Sequence, residues 1–248
     1  MRDYKSEYEG QTYDCIGGRA TVLSYANAKQ VLIQFDDGYT ATVQMGNLKR
    51  GMCDNPMRRS VYEVGYVGDG CYSYKTHPLA HRRWTHMMTR CYSEEYLNKK
   101  TSYIGCSVCE EWHNFQKFAQ WFEENYYEVD GTIIEVDKDI LIDGNKVYSP
   151  ETCCLVPREL NNLFQKKGDD NGLPTGVQQL QNGKYRARYG AKHIGVFKSI
   201  SEASQAYQEY RLKRICELER KYHDALSFKV SEAILQWLEK EERKHEQR

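Results

Sequence analysis

The alternation of apolar and polar residues predicts short strands near the start of the chain. The segments RATVLSYA and KQVLIQF, which end at Ala26 and Phe35, alternate with the period of two that is typical of a strand with one buried face. Ala26-Asn27 predicts a turn between them, and the turns predicted at Gly17-Gly18 and Asp36-Asp37-Gly38 separate them from two further predicted strands, TYDC and YTATVQM. We therefore predict a small SH3-like β-barrel over residues 1–54.

A linker and two helices are predicted next. Residues 55–78 are rich in Gly and Tyr and have no clear periodicity, so we interpret them as a linker. Apolar residues then recur at helical spacing over residues 79–92 and 110–127, which predicts two amphipathic helices. The residues with this spacing are Trp84, Met87, Met88 and Cys91 in the first and Trp112, Phe115, Phe118 and Phe122 in the second.

The segment after Gly131 has the element order of a metal finger. The run TIIEVDKDIL predicts a strand, IDGNKVYS a loop, CCLVP a second strand, and RELNNLFQKK a helix that begins after Pro157. A ββα metal finger needs this order of strand, loop, strand and helix. We therefore predict one domain over residues 79–168.

The last predicted domain, residues 169–248, combines three strands with a long helix. TGVQQLQ, KYRARYG and KHIGVF predict the strands, with turns at Asn182-Gly183 and Gly190-Ala191. A helix begins after Ser199 or Ser201 and runs to about Leu226, and the residues from about Glu239 are expected to be a solvated or frayed helix end. The chain is thus predicted to be a multidomain α+β protein.

Composition gives no global sign of a nucleic-acid partner, because 35 Lys and Arg residues balance 35 Asp and Glu residues. The chain has nine Cys, a polar start and no apolar run of membrane length. We expect a cytoplasmic protein with reduced thiols and no membrane partner. The oligomeric state is left open.

One segment is nevertheless strongly basic. Residues 171–198 contain no Asp or Glu. The period of two in a strand places Lys184, Arg186 and Arg188 on one face, with Tyr185 and its alternate neighbours on the other. Such a face could contact phosphates or base edges, as sheets that bind DNA do, or it could be a solvated strand face.

The pattern from Gly176 to Tyr207 resembles the AP2 DNA-binding domain of phage and plant proteins. It contains a Gly-Val pair, a KYRAR-type strand, an H-x-G-x-F strand and a helix with EA…AY. The resemblance implies that the chain binds double-stranded DNA. The implied contacts are Lys184, Arg186, Arg188, Lys192 and His193.

The middle of the chain resembles the HNH endonuclease core that often precedes an AP2 domain in phage and prophage proteins. The matching patterns are W-x3-M-x-R-C-Y from Trp84, G-C-x-V-C-x-x-W-x-x-F from Gly105, and D-K-D-I-L…N-x-x-Y-S-P-E-x-C from Asp137. The resemblance implies a phage-type DNA endonuclease or nickase that uses Mg²⁺ or another divalent cation in the bacterial host cytoplasm.

The resemblance assigns the active site to the finger. Asp137 or Asp139 would be metal ligand or base, Lys138 would pair with a phosphate oxygen, and Asn161 or Asn162 would supply a further ligand. The usual His base is missing, and Thr152 replaces the Asn that usually follows Pro-Glu. The alternative function is therefore a non-catalytic DNA-binding phage protein, a regulator or an antagonist of host defence, with a silent finger.

Two further groups attract attention. Cys106, Cys109, Cys153 and Cys154 could supply four thiolates for Zn²⁺, but adjacent strand residues point in opposite directions, so we expect buried thiols rather than a zinc site. The run around the first helix contains His77, His81 and His86, which could touch DNA phosphate or a metal, or could be solvated.

Overall fold

The computed structural model describes residues 4–164 and 172–246. They divide into two compact units, one formed by residues up to 93 together with 110–120, and the other by 94–109 together with the residues from 121 onward. Among the described residues, the first unit contains helices and one four-stranded sheet, and the second contains helices and three smaller sheets, which confirms the predicted α+β class. Within the described residues, no helix is long and apolar enough to cross a membrane.

The elements follow one another in chain order. The first half contains α1 (Tyr4–Tyr8), β1 (Thr12–Cys15), β2 (Gly18–Asn27), β3 (Gln30–Phe35), β4 (Thr40–Val43), α2 (Met45–Lys49), α3 (Pro78–Tyr92), α4 (Glu94–Lys99), β5 (Ser107–Val108), α5 (Glu110–His113) and α6 (Phe115–Asn125). The second half contains β6 (Ile134–Asp137), β7 (Val147–Tyr148), β8 (Cys154–Pro157), α7 (Arg158–Phe164), β9 (Val177–Gln179), β10 (Tyr185–Tyr189), β11 (Lys192–Phe197), α8 (Ile200–Tyr222) and α9 (Phe228–Glu246).

The first four strands form an antiparallel sheet in the order β1-β2-β3-β4. The predicted alternation holds along β3 and along β2 as far as Val22, which pairs with Ile33. A register shift after Val22 interrupts it, and Ser24 is exposed. The sheet does not close into a barrel, because within the described residues the short edge strands β1 and β4 do not pair with each other. Tyr8 of α1 and Leu48 of α2 cover its core instead.

The predicted single helix over residues 110–127 is wrong, because it is interrupted at Asn114. The Asn114 side-chain oxygen accepts a hydrogen bond from the Gln116 backbone N–H at 2.9 Å, and this bond caps the start of α6. The Phe115 N–H donates to the Tyr66 carbonyl at 2.9 Å rather than continuing a helical ladder. The break is therefore caused by pairing with the preceding segment.

That preceding segment, residues 55–78, is irregular as predicted but is held in place. Gln116 Nε2 donates to the carbonyls of Val67 and Tyr72, each at 2.9 Å, and Gln116 Oε1 accepts from the Tyr72 N–H at 3.0 Å. One buried amide thus satisfies three backbone groups of the loop. The segment is an ordered part of the first unit rather than a free linker.

The second unit contains the predicted strand, loop, strand and helix. Strands β6 and β8 pair antiparallel, with Glu135 opposite Val156 and Asp137 opposite Cys154, and α7 follows directly. The Glu135 carboxylate accepts two hydrogen bonds from Arg158, at 2.8 and 2.6 Å, which ties the start of α7 to β6. We call β6, β8 and α7 with their connecting loop the finger.

The three-stranded sheet of this unit has the order β11-β10-β9, and both predicted turns are present. The turn at Asn182-Gly183 joins Leu180 to Lys184 through three residues, and the turn at Gly190-Ala191 joins Tyr189 to Lys192 through two. One face packs against the first half of α8, where Ala187 of β10 meets Ala203 and Tyr207. Ser199 begins α8 with a capping box, its side chain accepting from the Glu202 N–H at 3.2 Å. Ser199, not Ser201, is therefore the N-cap.

The second half of α8 packs on different partners. Ile215, Leu218 and Tyr222 share one buried cluster with the finger and with α9. The other buried members of this cluster are Ile140, Cys154, Val156, Leu160, Leu163, Leu226, Val230, Ile234 and Leu238. Helix α9 contributes an apolar stripe to this core as far as Leu238. From Glu239 it continues as a helix to Glu246, with Glu239, Lys240 and Arg243 exposed, as expected for a solvated helix end.

We predict that Gly176→Ala destabilises the second unit more than Gly183→Ala does. Both glycines have positive φ, +80° and +75°, but a Cβ at Gly176 would lie 2.1 Å from the Tyr207 ring, whereas one at Gly183 meets nothing within 4 Å. Gly183→Ala is the control, and its positive φ alone should lower the free energy of unfolding by about 1 kcal/mol. Overpacking adds about 1–3 kcal/mol at Gly176. Urea denaturation measures both, and equal losses would contradict the packing of the sheet on α8.

Candidate functional site

The solvent face of the three-stranded sheet is the first candidate site. Arg186 lies opposite Gln178 of β9 and opposite Val196 of β11, and Arg188 lies opposite His193. Directly paired residues of an antiparallel sheet share a face. Since neighbouring Ala187 is buried against α8, all five of these side chains lie on the side away from the helix.

A bulge assembles this face. The pairing advances by one residue on β10, from Ala187 to Arg188, while it advances by two on β11, from Gly195 to His193. Ile194 is therefore the extra residue. Without the bulge, the period of two would place His193 and Val196 on opposite faces.

Beside the bulge lies a concave site of about 130 Å³, lined by Arg186, Arg188, His193 and the turn residues Gly190 and Ala191. The predicted DNA contacts Arg186, Arg188 and His193 are therefore brought together. Within the described part of the chain, neither arginine side chain forms an ion pair or a hydrogen bond. Two uncompensated guanidinium groups create a local positive potential in an otherwise neutral chain.

The two predicted lysines lie at the ends of this face. Lys184 is exposed and immediately precedes β10, where its backbone N–H donates to the Asn182 side chain at 3.1 Å. Lys192 is exposed at the start of β11 and pairs with Tyr189, whose ring contacts Tyr207 of α8. Lys184 therefore lies on the same face of the sheet as Arg186 and Arg188. Lys192 lies on the opposite face, which packs against α8.

The second candidate site is the loop that follows β6 in the finger. Asp137 is only 8% exposed, and its Oδ1 accepts hydrogen bonds from the N–H groups of Asp139 and Ile140 at 2.8 and 2.7 Å. Burial raises the pKa of Asp137 above its ordinary value, and this outweighs the opposing effect of the two N–H groups. The Asp137 carboxyl group therefore stabilises the conformation of the loop by accepting these two backbone hydrogen bonds.

Lys138 and Asp139 form an ion pair with each other. Lys138 Nζ lies 2.8 Å from both carboxylate oxygens of Asp139 and donates to the Asn145 carbonyl at 2.6 Å. Lys138 itself is buried, whereas the Asp139 side chain is 43% exposed. The predicted phosphate-binding cation and the predicted metal-binding carboxylate thus neutralise one another in this structure.

The two predicted asparagine ligands of α7 differ in their surroundings. Asn161 is buried, and its Oδ1 has no hydrogen-bond partner within the described residues. Asn162 is exposed, as expected for a residue one position further around a helix. A buried, unpaired amide oxygen costs about 1–3 kcal/mol, so Asn161 is the one residue of the finger with an unused acceptor that calls for an explanation.

In this arrangement the finger residues do not fit a divalent cation. The Lys138 ammonium occupies the Asp139 carboxylate, and a second positive charge beside it is repelled. One Asp137 oxygen is already used by two N–H donors. Within the described part of the chain, no group of three or more His, Cys, Asp or Glu side chains is arranged as metal ligands.

The cysteines predicted to be buried thiols are largely buried. Cys106, Cys153 and Cys154 are between 5% and 6% exposed, and Cys109 is half-buried. Burial raises the pKa of Cys153 to about 12 and raises that of Cys154 well above its ordinary value. Both thiols are therefore protonated at neutral pH and are poor nucleophiles.

The histidines near α3 have separate surroundings. His77 Nδ1 lies 2.9 Å from the Thr76 hydroxyl, and the ring of His81 lies edge-on to that of Phe115 at 5.1 Å. Burial lowers the pKa of His81, so its ring is neutral at pH 7. His86 is exposed on α3.

No protein-family model matches the chain, and no curated protein or solved structure is significantly similar to it.

We predict that Asp137→Asn preserves the fold whereas Asp137→Ala destabilises it by about 1–3 kcal/mol. Asn keeps an oxygen for the two backbone N–H donors, and Ala leaves both unpaired. Since the pKa of Asp137 is raised in the fold, its contribution is present at low pH and lost as the pH rises through that pKa.

The Asn variant should therefore be at least as stable as the original chain at pH 7 and lose this advantage towards pH 4. Thermal unfolding across this pH range measures the difference. An Asn variant as unstable as the Ala variant would contradict the assignment of Asp137 to loop structure.

Proposed function

We propose that the chain binds double-stranded DNA through the solvent face of the three-stranded sheet. The observation that carries the proposal is the convergence of Arg186, Arg188 and His193 on one concave site without any acidic partner within the described residues. Charged side chains that stay unpaired on a rigid sheet are preorganised for phosphate oxygens or base edges. Helix α8 packs on the opposite face of the sheet, and Gln178, Arg188, His193 and Val196 are exposed among the described residues.

The finer architecture belongs to the same proposal. The three-stranded sheet with α8 is an AP2-like module, the finger is an HNH-like ββα element, and the open first sheet is an SH3-like element. The order of strands and helices in the second unit supports the first two assignments. By its resemblance to phage proteins, the chain would act in the cytoplasm of a bacterial host.

Binding without cleavage is the function that the geometry supports best. The ion pair of Lys138 with Asp139 and the internal hydrogen bonds of Asp137 use the groups that catalysis would need. The finger also shares a core with α8, so it has a structural role as a support for the DNA-binding module. A regulator or an antagonist of host defence would need only DNA binding by the sheet and a finger that supports the sheet structurally.

A divalent-metal-dependent endonuclease is the second candidate. It is favoured by one observation, the unpaired oxygen of Asn161 on α7, since asparagine lies at the position where HNH proteins place a ligand. For this function, Lys138 would have to release Asp139 when DNA is bound. The two candidates therefore differ in what the finger does and agree on what the sheet binds.

We predict that changing Arg186 and Arg188 together to Ala lowers duplex affinity at least tenfold and flattens its salt dependence. Each lost phosphate contact lowers the slope of log K against log salt by about 0.9. Titrations of a labelled duplex at several salt concentrations measure both quantities.

The matched control changes Lys229 and Arg243, two exposed cations of α9, to Ala. It removes the same net charge from a part of the unit outside the sheet and should leave both affinity and slope nearly unchanged. Equal effects of the two double variants would reduce the proposal to a non-specific effect of charge.

We predict that the chain with Mg²⁺ or Mn²⁺ does not nick supercoiled plasmid above the level of Asp139→Ala. The reason is that Asp139 is engaged by Lys138 and Asp137 by the backbone. Gel analysis of plasmid topology measures nicking, with duplex binding by both proteins as the control for folding. Nicking by the original chain that Asp139→Ala abolishes would replace binding alone with the endonuclease function.

A further inference from the structure

We infer that Gln178, Arg186 and Val196 form a row that contacts base edges in the major groove, whereas the basic residues on either side of the row contact phosphates. This inference rests on the proposed DNA binding and adds which residues distinguish one sequence from another. The predicted set of contacts omits Gln178 and Val196. Their alignment with Arg186 depends on strand register, which the residue pattern alone does not reveal.

The row crosses the whole sheet. Arg186 on the central strand pairs directly with Gln178 on one side and with Val196 on the other. Neighbouring strands lie about 4.8 Å apart, so the three side chains span about 10 Å in a straight line. That length equals about three steps of 3.4 Å between stacked base pairs, so the row covers a stretch of about four base pairs.

Each member of the row offers a different contact. Arginine pairs with the two acceptors of guanine, glutamine with the donor and acceptor of adenine, and an apolar side chain with the methyl group of thymine. Val196 is 45% exposed on a face that is otherwise polar and basic. Arg186 is half-buried between its two neighbours, which restricts the conformations of its side chain.

The flanking cations have the spacing that a groove requires. Lys184 and Arg188 lie two residues before and two residues after Arg186, on the same face of β10. Four residues of strand cover about 14 Å, and the major groove is about 12 Å wide. Phosphates on the two sides of a groove are therefore within reach while the row between them faces the bases.

The experiment is selection of bound duplexes from a randomised library, followed by sequencing, for the original chain and for single variants. Gln178→Ala should reduce the preference at one adenine position by about tenfold, and Val196→Ala should reduce the preference at one thymine position by about fourfold. Val196→Thr keeps one methyl group on a β-branched side chain and should retain the thymine preference. Lys184→Ala should weaken binding to all sequences equally.

The outcomes separate this inference from the proposed function. If Gln178→Ala and Val196→Ala bind as folded proteins, judged by thermal unfolding, and still select the original motif, the row does not read bases although the chain binds DNA. If the wild-type chain binds duplexes without any preferred motif, the row likewise does not read bases although the chain binds DNA. A wild-type chain that binds no duplex at all defeats the proposed function itself.

Discussion

The second unit depends on helix α8, because its two halves serve two different cores. The helix has 23 residues and is therefore about 35 Å long. Near its start, Ala203 and Tyr207 bury the inner face of the three-stranded sheet. Towards its end, Leu218 and Tyr222 are buried in the core that contains the finger and α9. The sheet and the finger consequently share one rigid support, and the basic face is displayed on a scaffold that the finger helps to stabilise.

Polar contacts fix α7 on this helix in one register. The Glu159 carboxylate accepts hydrogen bonds from Lys221 and from the Tyr222 hydroxyl, and Arg214 lies 3.2 Å away. Burial alone would raise the pKa of Glu159, but these partners outweigh it and lower the pKa. The network therefore stabilises the fold at neutral pH and weakens only as the pH falls through the lowered pKa. Its groups are partly exposed, so its main contribution is to the orientation of α7 rather than to total stability.

Local pattern predicted the elements whose signal lies within one short segment. The apolar spacing around Trp84 and the alternation around Arg186 correspond to α3 and to the two faces of β10. Features that depend on distant partners were missed, since the break at Asn114 requires Tyr66 and the face of His193 requires the bulge in β11. Helix α9 did carry a signal, the spacing of Val230, Ile234 and Leu238, that was sufficient to predict it. For the finger, the residue pattern indicated which side chains could take part in catalysis. The hydrogen bonds of Lys138 to the Asn145 carbonyl and of Asp137 to backbone N–H groups are visible only in three dimensions.

The central claim is that DNA contacts the solvent face of the three-stranded sheet, and hydrogen exchange with and without a duplex tests it directly. On this account, added DNA slows amide exchange in residues 184–196 beyond the protection already present in the sheet, while α9 and the first four strands keep their rates. Slower exchange confined to the finger loop around Asp137 or to the first unit, with the sheet unchanged, would contradict the claim.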